Sequence, residues 1–214
     1  MAVFEYGQAE LDYLKRRDRK LGAVIERVGR IEREGMADLF EALLKCIVSQ
    51  QISGKAAETV WGRLRERLGA LTPERVAAAD AASIQACGMS MRKAGYIRGI
   101  GEAALRGELD VASLAALTDA ELVARLSSLN GIGVWTAEML LIFSLGRPDV
   151  LSWGDLGIRR GMMRVYGLKT LDRARFERYR KRYSPFGSVA ALYLWEEGGE
   201  EGGVRREELG VGGG

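Results

Sequence analysis

The sequence predicts an all-α protein, and three kinds of pattern lead to that prediction. Apolar residues recur at helical spacing along most of the chain, and the clearest run comprises Phe40, Leu43, Leu44, Ile47 and Val48. Residues that favour the first turn of a helix precede several of these runs, namely Asp80, Ser90, Thr118 and the pair Thr72-Pro73. No strand longer than residues 149–153 is predicted.

The first third of the chain is predicted to hold a charged helical region and then a buried helix. Residues 9–33 alternate apolar stripes with basic residues, which fit a solvated face or contacts with phosphates. The buried helix ends in Ser49-Gln50-Gln51-Ile52-Ser53, and another helical run continues to Leu68. Taken alone, Gln50 and Gln51 indicate a polar turn whose amides tie the two helices together.

A central stretch, residues 126–145, holds two predicted helices joined by Asn130-Gly131-Ile132-Gly133. Thr118 and Glu121 form a capping box at the start of the first helix, and Gly131 is predicted to end it. Both glycines are expected to allow positive φ and to leave bare N–H groups at the start of the second helix. Such a turn favours an anion, for example a nucleic-acid phosphate. An ordinary helical hairpin with a glycine cap is the alternative.

The last third contains one carboxylate of interest and a charged helix. Asp155 follows the second helix and precedes a helical run to Tyr166, a position typical of a helix N-cap. Residues 173–182 form a strongly charged helix that is predicted to lie on the surface. A final helix is predicted up to Trp195. The tail, residues 196–214, is glycine-rich and charged, and it is expected to be disordered.

Composition excludes several chemistries. The 214 residues include no histidine and two cysteines, so neither a zinc site nor a cysteine-ligated iron–sulfur cluster is expected. The formal net charge of +3 permits nucleic-acid binding without requiring it. No apolar run is long enough for a membrane span, and no leader peptide precedes the first helix, which predicts a cytoplasmic protein, associated with the nucleoid if prokaryotic.

The segment from Leu129 to Ala137 reads Leu-Asn-Gly-Ile-Gly-Val-Trp-Thr-Ala and is followed by Asp155. In these residues the chain resembles the helix-hairpin-helix DNA glycosylase superfamily, and within it most closely the 3-methyladenine DNA glycosylase II group. Further resemblances are Gln50-Gln51-Ile52-Ser53 and the segments 90–97 and 185–190. The resemblance implies a two-lobed helical fold with a central cleft and no N-terminal β domain. One lobe would span residues 36–145, and the other residues 1–35 plus 146–195, with residues 196–214 as the tail.

The resemblance also implies roles for individual residues. Asp155 would be the catalytic carboxylate, Gln51 the wedge that fills the gap left by the extruded nucleotide, and Trp135 and Trp195 the aromatic walls of the base pocket. Met139 stands where relatives carry another aromatic residue. Gln50, Gly131, Gly133 and Thr136 would contribute to DNA binding. Carbonyl groups of Ser127, Leu129 and Ile132 would bind Na⁺ or K⁺, and no cofactor would be required.

The implied function is excision of alkylated purines of the 3-methyladenine type from duplex DNA by a monomer, in base excision repair. The glycosylase/lyases of the superfamily carry a nucleophilic lysine two places after the second hairpin glycine, where this chain has Val134-Trp135. Without that amine, water must attack, which predicts no lyase activity. The alternatives are an N-cap role alone for Asp155, core packing for the two tryptophans, and a non-catalytic helix-hairpin-helix module that binds DNA.

Overall fold

The computed structural model describes residues 4–33, 35–36 and 38–199, which form thirteen α-helices and no strand. The helices are α1 (Gln8–Arg17), α2 (Arg19–Val28), α3 (Leu39–Ser49), α4 (Gly54–Leu68), α5 (Pro73–Ala78), α6 (Ala81–Gln85), α7 (Met91–Leu105), α8 (Val111–Ala115), α9 (Asp119–Ser127), α10 (Val134–Phe143), α11 (Leu156–Tyr166), α12 (Arg173–Tyr183) and α13 (Gly187–Gly198). The predicted all-α class is confirmed. None of the described helices has the length and hydropathy needed to cross a bilayer.

One compact unit combines the described residues up to Gly35 with residues 141–199. Its core is the close packing of α11 against α13. Gly161 makes that approach possible, because a Cβ atom there would lie 1.8 Å from the carbonyl oxygen of Leu194. This packing brings the start of α11, where Asp155 lies, next to Trp195 of α13.

The second compact unit spans Met36–Leu140. The helix α7 packs against α3, α5 and α6, and its close contact with α5 occurs at Gly101, where a Cβ atom would lie 2.7 Å from the backbone nitrogen of Ala77. Because α7 adjoins α3, its first turns can reach the loop that follows α3. The side chains of Lys93 and Tyr96 lie in those turns.

The structure differs from the sequence-based boundaries at four places. The charged region of residues 9–33 is two helices, because the buried Asp18 interrupts it and caps α2 by accepting from the backbone of Lys20 and Leu21. The second unit ends at Leu140 instead of residue 145, inside α10. Residues 149–153 have no strand structure. The last helix continues to Gly198, three residues into the predicted tail, and residues 200–214 lie outside the described part of the chain.

Candidate functional site

Asp155 is a buried carboxylate with two assigned donors. It is 2% exposed and forms the N-cap of α11, where its Oδ1 accepts a hydrogen bond of 2.8 Å from the backbone nitrogen of Ile158. The indole Nε1–H of Trp195 donates to the same oxygen at 3.1 Å. The two hydrogen bonds fix the direction of the carboxylate. The N-cap interpretation of Asp155 is therefore correct, and it is compatible with a further role for the charge.

Trp195 is held in place by aromatic packing on its other side. Its ring stacks on Phe143 with centroids 5.8 Å apart and an interplanar angle of 26°. Phe4 meets Phe143 edge-on at 6.5 Å. With 8% of its surface exposed, Trp195 has little freedom to rotate away from Asp155. A role for this tryptophan in orienting the carboxylate did not follow from the sequence.

The hairpin glycines differ from each other. Gly131 has φ of 90°, and a Cβ atom there would lie 2.5 Å from the ring of Tyr96, so both conformation and space require glycine. Gly133 is not among the residues with positive φ, and a Cβ atom there would meet no atom within 4 Å. The expectation of positive φ at both glycines is thus wrong for Gly133. Its exposed backbone is left accessible at the start of α10.

The helix before the hairpin starts as predicted and ends earlier. Thr118 and Glu121 form the capping box of α9, which confirms that prediction. The helix ends at Ser127, four residues before Gly131, and the chain continues through turns closed by bonds from Leu129 to Leu126 and from Ile132 to Leu129. The prediction that Gly131 itself ends the helix is therefore wrong, because these turns intervene.

The next helix, α10, carries three of the predicted site residues. Trp135 and Thr136 lie in its first turn and are partly exposed. Met139 is 2% exposed and belongs to the packed interior of its unit. Of the three, Trp135 and Thr136 are thus the side chains that a ligand can reach without a rearrangement.

Gln50 and Gln51 follow α3 and have different environments. The amide Nε2 of Gln50 donates to the carbonyl oxygen of Gly131 at 2.8 Å, which ties this loop to the hairpin. Gln51 is exposed and has φ of 61°, the one positive φ of a non-glycine residue in the described chain. The left-handed conformation costs an ordinary residue about 1–2 kcal/mol, so the contacts of its neighbours must hold it there.

Lys93 provides such contacts, and sequence reasoning missed it. Its Nζ donates to the carbonyl oxygens of Val48, at 2.9 Å, and of Gln50. Partial burial lowers the pKa of Lys93, whereas the two carbonyl acceptors favour its charged form. The resemblance of segment 90–97 to a recurrent family stretch was the available signal, but only the fold shows that a lysine of α7 caps the end of α3.

The carbonyl groups expected to bind an alkali ion can be described by their hydrogen bonds. The carbonyl of Leu129 accepts from Ile132 at 3.1 Å. The Oγ of Ser127 is buried and has no hydrogen-bond partner among the described residues. A carbonyl oxygen that accepts one hydrogen bond keeps a second lone pair for a hard monovalent cation, so these three carbonyls could hold Na⁺ or K⁺. The described residues hold no cluster of three carboxylate, cysteine or histidine ligands.

The predicted site residues therefore form two groups. Asp155 and Trp195 are in direct contact within the first unit. Gln50, Gln51, the hairpin and the first turn of α10 belong to the second unit, where Lys93 and Tyr96 hold the loop and the hairpin against α7.

Comparison with known proteins gives a consistent assignment. Residues 44–185 match the family described as HhH-GPD superfamily base excision DNA repair protein. The chain is 36% identical over 162 residues to DNA-3-methyladenine glycosylase 1 of Schizosaccharomyces pombe, an alignment that covers 73% of this chain and 71% of that protein.

Two solved structures have the same fold. The DNA-3-methyladenine glycosidase of Bacillus halodurans has a TM-score of 0.84, 35% identity and 93% coverage of both chains. The Schizosaccharomyces pombe 3-methyladenine DNA glycosylase in complex with abasic DNA has a TM-score of 0.76 and 31% identity, covering 88% of this chain and 96% of that one. The chain belongs to the HhH-GPD superfamily of base excision DNA repair proteins.

Proposed function

We propose that the protein is a DNA glycosylase that flips alkylated purines of the 3-methyladenine type out of duplex DNA and releases them by hydrolysis. The names of the relatives support this substrate class, since both the S. pombe and the B. halodurans proteins are 3-methyladenine glycosylases. The observation that carries the proposal is the carboxylate of Asp155, which is 2% exposed and held by two hydrogen-bond donors.

The chemistry of an alkylated purine explains why one carboxylate is enough. Alkylation at N3 or N7 gives the base a positive charge, so it leaves as a neutral group and needs little help from an acid. The sugar becomes cationic, and a carboxylate about 4 Å away stabilises it by roughly 4 kcal/mol at an effective dielectric constant near 20. That amounts to about three orders of magnitude in rate. Asp155 would also accept a proton from the attacking water.

We infer a monofunctional mechanism, as in the type II group, from two positions of the second unit. The position of the lyase lysine is occupied by Val134-Trp135 at the start of α10. The ammonium group of Lys93 already donates to two backbone carbonyls at the end of α3. Neither position offers a free amine for a Schiff base, so the abasic strand should be left uncut.

The second unit would hold the DNA. The accessible backbone around Gly133 fits a phosphate at the start of α10, with Thr136 in the same helical turn and the Gly131 turn preceding it. Gln51 is exposed and would fill the gap left by the flipped nucleotide, where its amide can bond the orphaned base. Gln50 links the two elements through Gly131.

Indole faces would bind the damaged base. Trp135 is partly exposed, and Trp195 lies against Asp155, so either ring can attract a cationic base with about 0.5–2 kcal/mol. Met139 lies one helical turn after Trp135 on α10 and would add apolar surface for the base, although its burial leaves it little contact surface. An alkali ion held by the carbonyls of Ser127, Leu129 and Ile132 would add positive charge beside a phosphate. We further propose that the protein acts as a monomer in the cytoplasm.

The test is a base-release assay on duplex DNA treated with a methylating agent. Wild-type protein should release free 3-methyladenine and leave intact strands with abasic sites. Asp155→Asn should bind the damaged duplex and release base roughly a thousandfold more slowly. Release by Asp155→Asn at the wild-type rate would reject the assignment, and a borohydride-trapped covalent complex would reject the monofunctional mechanism. Equal binding of intact and methylated DNA without any release would favour a non-catalytic DNA-binding module.

A further inference from the structure

The positive charge of the protein is concentrated in one region of the first unit. Residues 15–20 contain five basic residues and one acidic residue, and residues 173–182 contain six basic residues and one acidic residue. These two segments therefore carry a net charge of +9 in a chain whose formal net charge is +3, so the remainder is at −6. We call the basic side chains of the two segments the basic face.

The two segments lie side by side. Arg182 Nη1 is 3.2 Å from Asp18 Oδ2, which joins α12 to the α1–α2 junction. Tyr166 stacks on Tyr179 of α12 at 3.7 Å and donates from its hydroxyl to Asp18, while the ammonium group of Lys20 lies over the Tyr166 ring. The basic face is thus one continuous feature held by a buried network.

The acidic groups inside this region are already used. Asp18 is 5% exposed and accepts from two backbone amides, Tyr166 and Arg182. Glu177 pairs with Arg173. The other basic side chains have no ion pair with a described carboxylate: Lys15, Arg16, Arg17, Arg19, Lys20, Arg175, Arg178, Arg180 and Lys181.

The cations of the basic face repel one another, and this repulsion destabilises the free protein. A bound polyanion would neutralise these charges and remove the repulsion. The helix α12 is about 16 Å long, and the same length of duplex DNA carries roughly ten phosphates. Duplex DNA therefore offers more than enough negative charge along α12 to neutralise the +5 of residues 173–182.

We propose that the basic face binds the phosphate backbone of double-stranded DNA irrespective of sequence or damage, as a contact surface separate from the hairpin. The choice of DNA as the polyanion rests on the family of base excision repair proteins. The contact supplies affinity for undamaged duplex, and it requires neither Asp155 nor base release. A protein that binds DNA through this face would be retained on intact duplex between lesions.

The test compares two charge-neutralising pairs on undamaged duplex DNA. Arg178→Gln/Lys181→Gln removes two exposed cations from α12, and Arg63→Gln/Arg67→Gln removes two exposed cations from α4, with the same change in net charge. Affinity is measured by fluorescence anisotropy over a series of salt concentrations. Thermal unfolding of each variant checks that it is folded.

The α12 pair should lower affinity by roughly tenfold or more at low salt and reduce the slope of log K against log salt by about 2, since each phosphate contact contributes about 0.9. The α4 pair should leave the slope unchanged. Arg16→Gln/Arg19→Gln, in the other segment, should repeat the effect of the α12 pair. Equal losses in the α4 and α12 pairs, or no loss in either segment of the basic face, would overturn the proposal. Because intact DNA is used, the result does not depend on glycosylase activity.

Discussion

Replacement of Trp195 by phenylalanine removes the indole hydrogen bond to Asp155 and the five-membered ring of the indole. The six-membered ring can keep its stacking on Phe143, now 5.8 Å between centroids, while the indole N–H that donates to Asp155 at 3.1 Å is lost. Both residues of the hydrogen bond are buried, at 8% and 2% exposure. The change therefore removes the contribution of this hydrogen bond to the orientation of the carboxylate, together with part of the indole surface.

The size of the effect of Trp195→Phe depends on the charge of the carboxylate that accepts the hydrogen bond. A buried hydrogen bond to an ionised group contributes about 1.5–3 kcal/mol, so Trp195→Phe should lower the free energy of unfolding by at least that amount, since the lost ring also leaves a cavity. If the same interaction is expressed fully in the transition state, kcat for base release should fall roughly ten- to a hundredfold. Chemical denaturation measures the first quantity, and single-turnover release of 3-methyladenine measures the second.

Trp153 provides a matched control in the same unit. It is partly exposed and packs edge-on against Phe176 at 5.2 Å, and no hydrogen bond of its indole occurs in the described residues. Trp153→Phe should retain kcat. In an Asp155→Asn background, Trp195→Phe should cost less than in the wild type, because the charged acceptor is gone. Wild-type turnover by Trp195→Phe would refute its role in positioning Asp155.

Three further predictions concern glycines and a lysine. Gly131→Ala should lower the melting temperature, because Gly131 has φ of 90° and a Cβ atom there would meet the ring of Tyr96. Gly133→Ala should leave the melting temperature unchanged and weaken DNA binding. Equal shifts of the melting temperature in the two variants would contradict this. Lys93→Met should raise KM for methylated DNA more than it lowers kcat, because the loop around Gln50 loses the hydrogen bond from the Lys93 ammonium group. Lys93→Arg should partly restore KM. An unchanged KM in Lys93→Met would count against this prediction. Gly161→Ala should unfold the first unit, since its Cβ would lie 1.8 Å from a backbone oxygen, and native circular dichroism at 25 °C would contradict this.

Local signals in the sequence predicted local structure well. The capping box of Thr118 and Glu121 and the N-cap role of Asp155 depend on residues three positions apart, and both occur as predicted. The break at Asp18 was missed because the apolar stripes on either side continue at helical spacing. Residues 149–153 include three apolar side chains, but Ser188 Oγ accepts a hydrogen bond from the backbone nitrogen of Val150 where a partner strand would be needed.

Contacts between distant residues could not be predicted from the sequence. The bond from Trp195 to Asp155 spans forty positions and depends on the glycine contact between α11 and α13. The bonds of Lys93 to the end of α3 likewise require the packing of α7 on α3. The family resemblance supplied roles for Asp155 and Gln51, whereas the geometry shows which side chains hold them.

Single-turnover release of base from methylated duplex DNA tests the central claim most directly, namely that water displaces an alkylated purine with the help of Asp155. Mass spectrometry of the small-molecule fraction and gel analysis of the strands identify the products. We expect free 3-methyladenine from the wild-type protein, uncut abasic strands, and roughly a thousandfold slower release by Asp155→Asn. Asp172→Asn, which alters an exposed N-cap carboxylate of α12, should match the wild type. Absence of free base with wild-type protein, or equal rates for wild type and Asp155→Asn, would contradict the account.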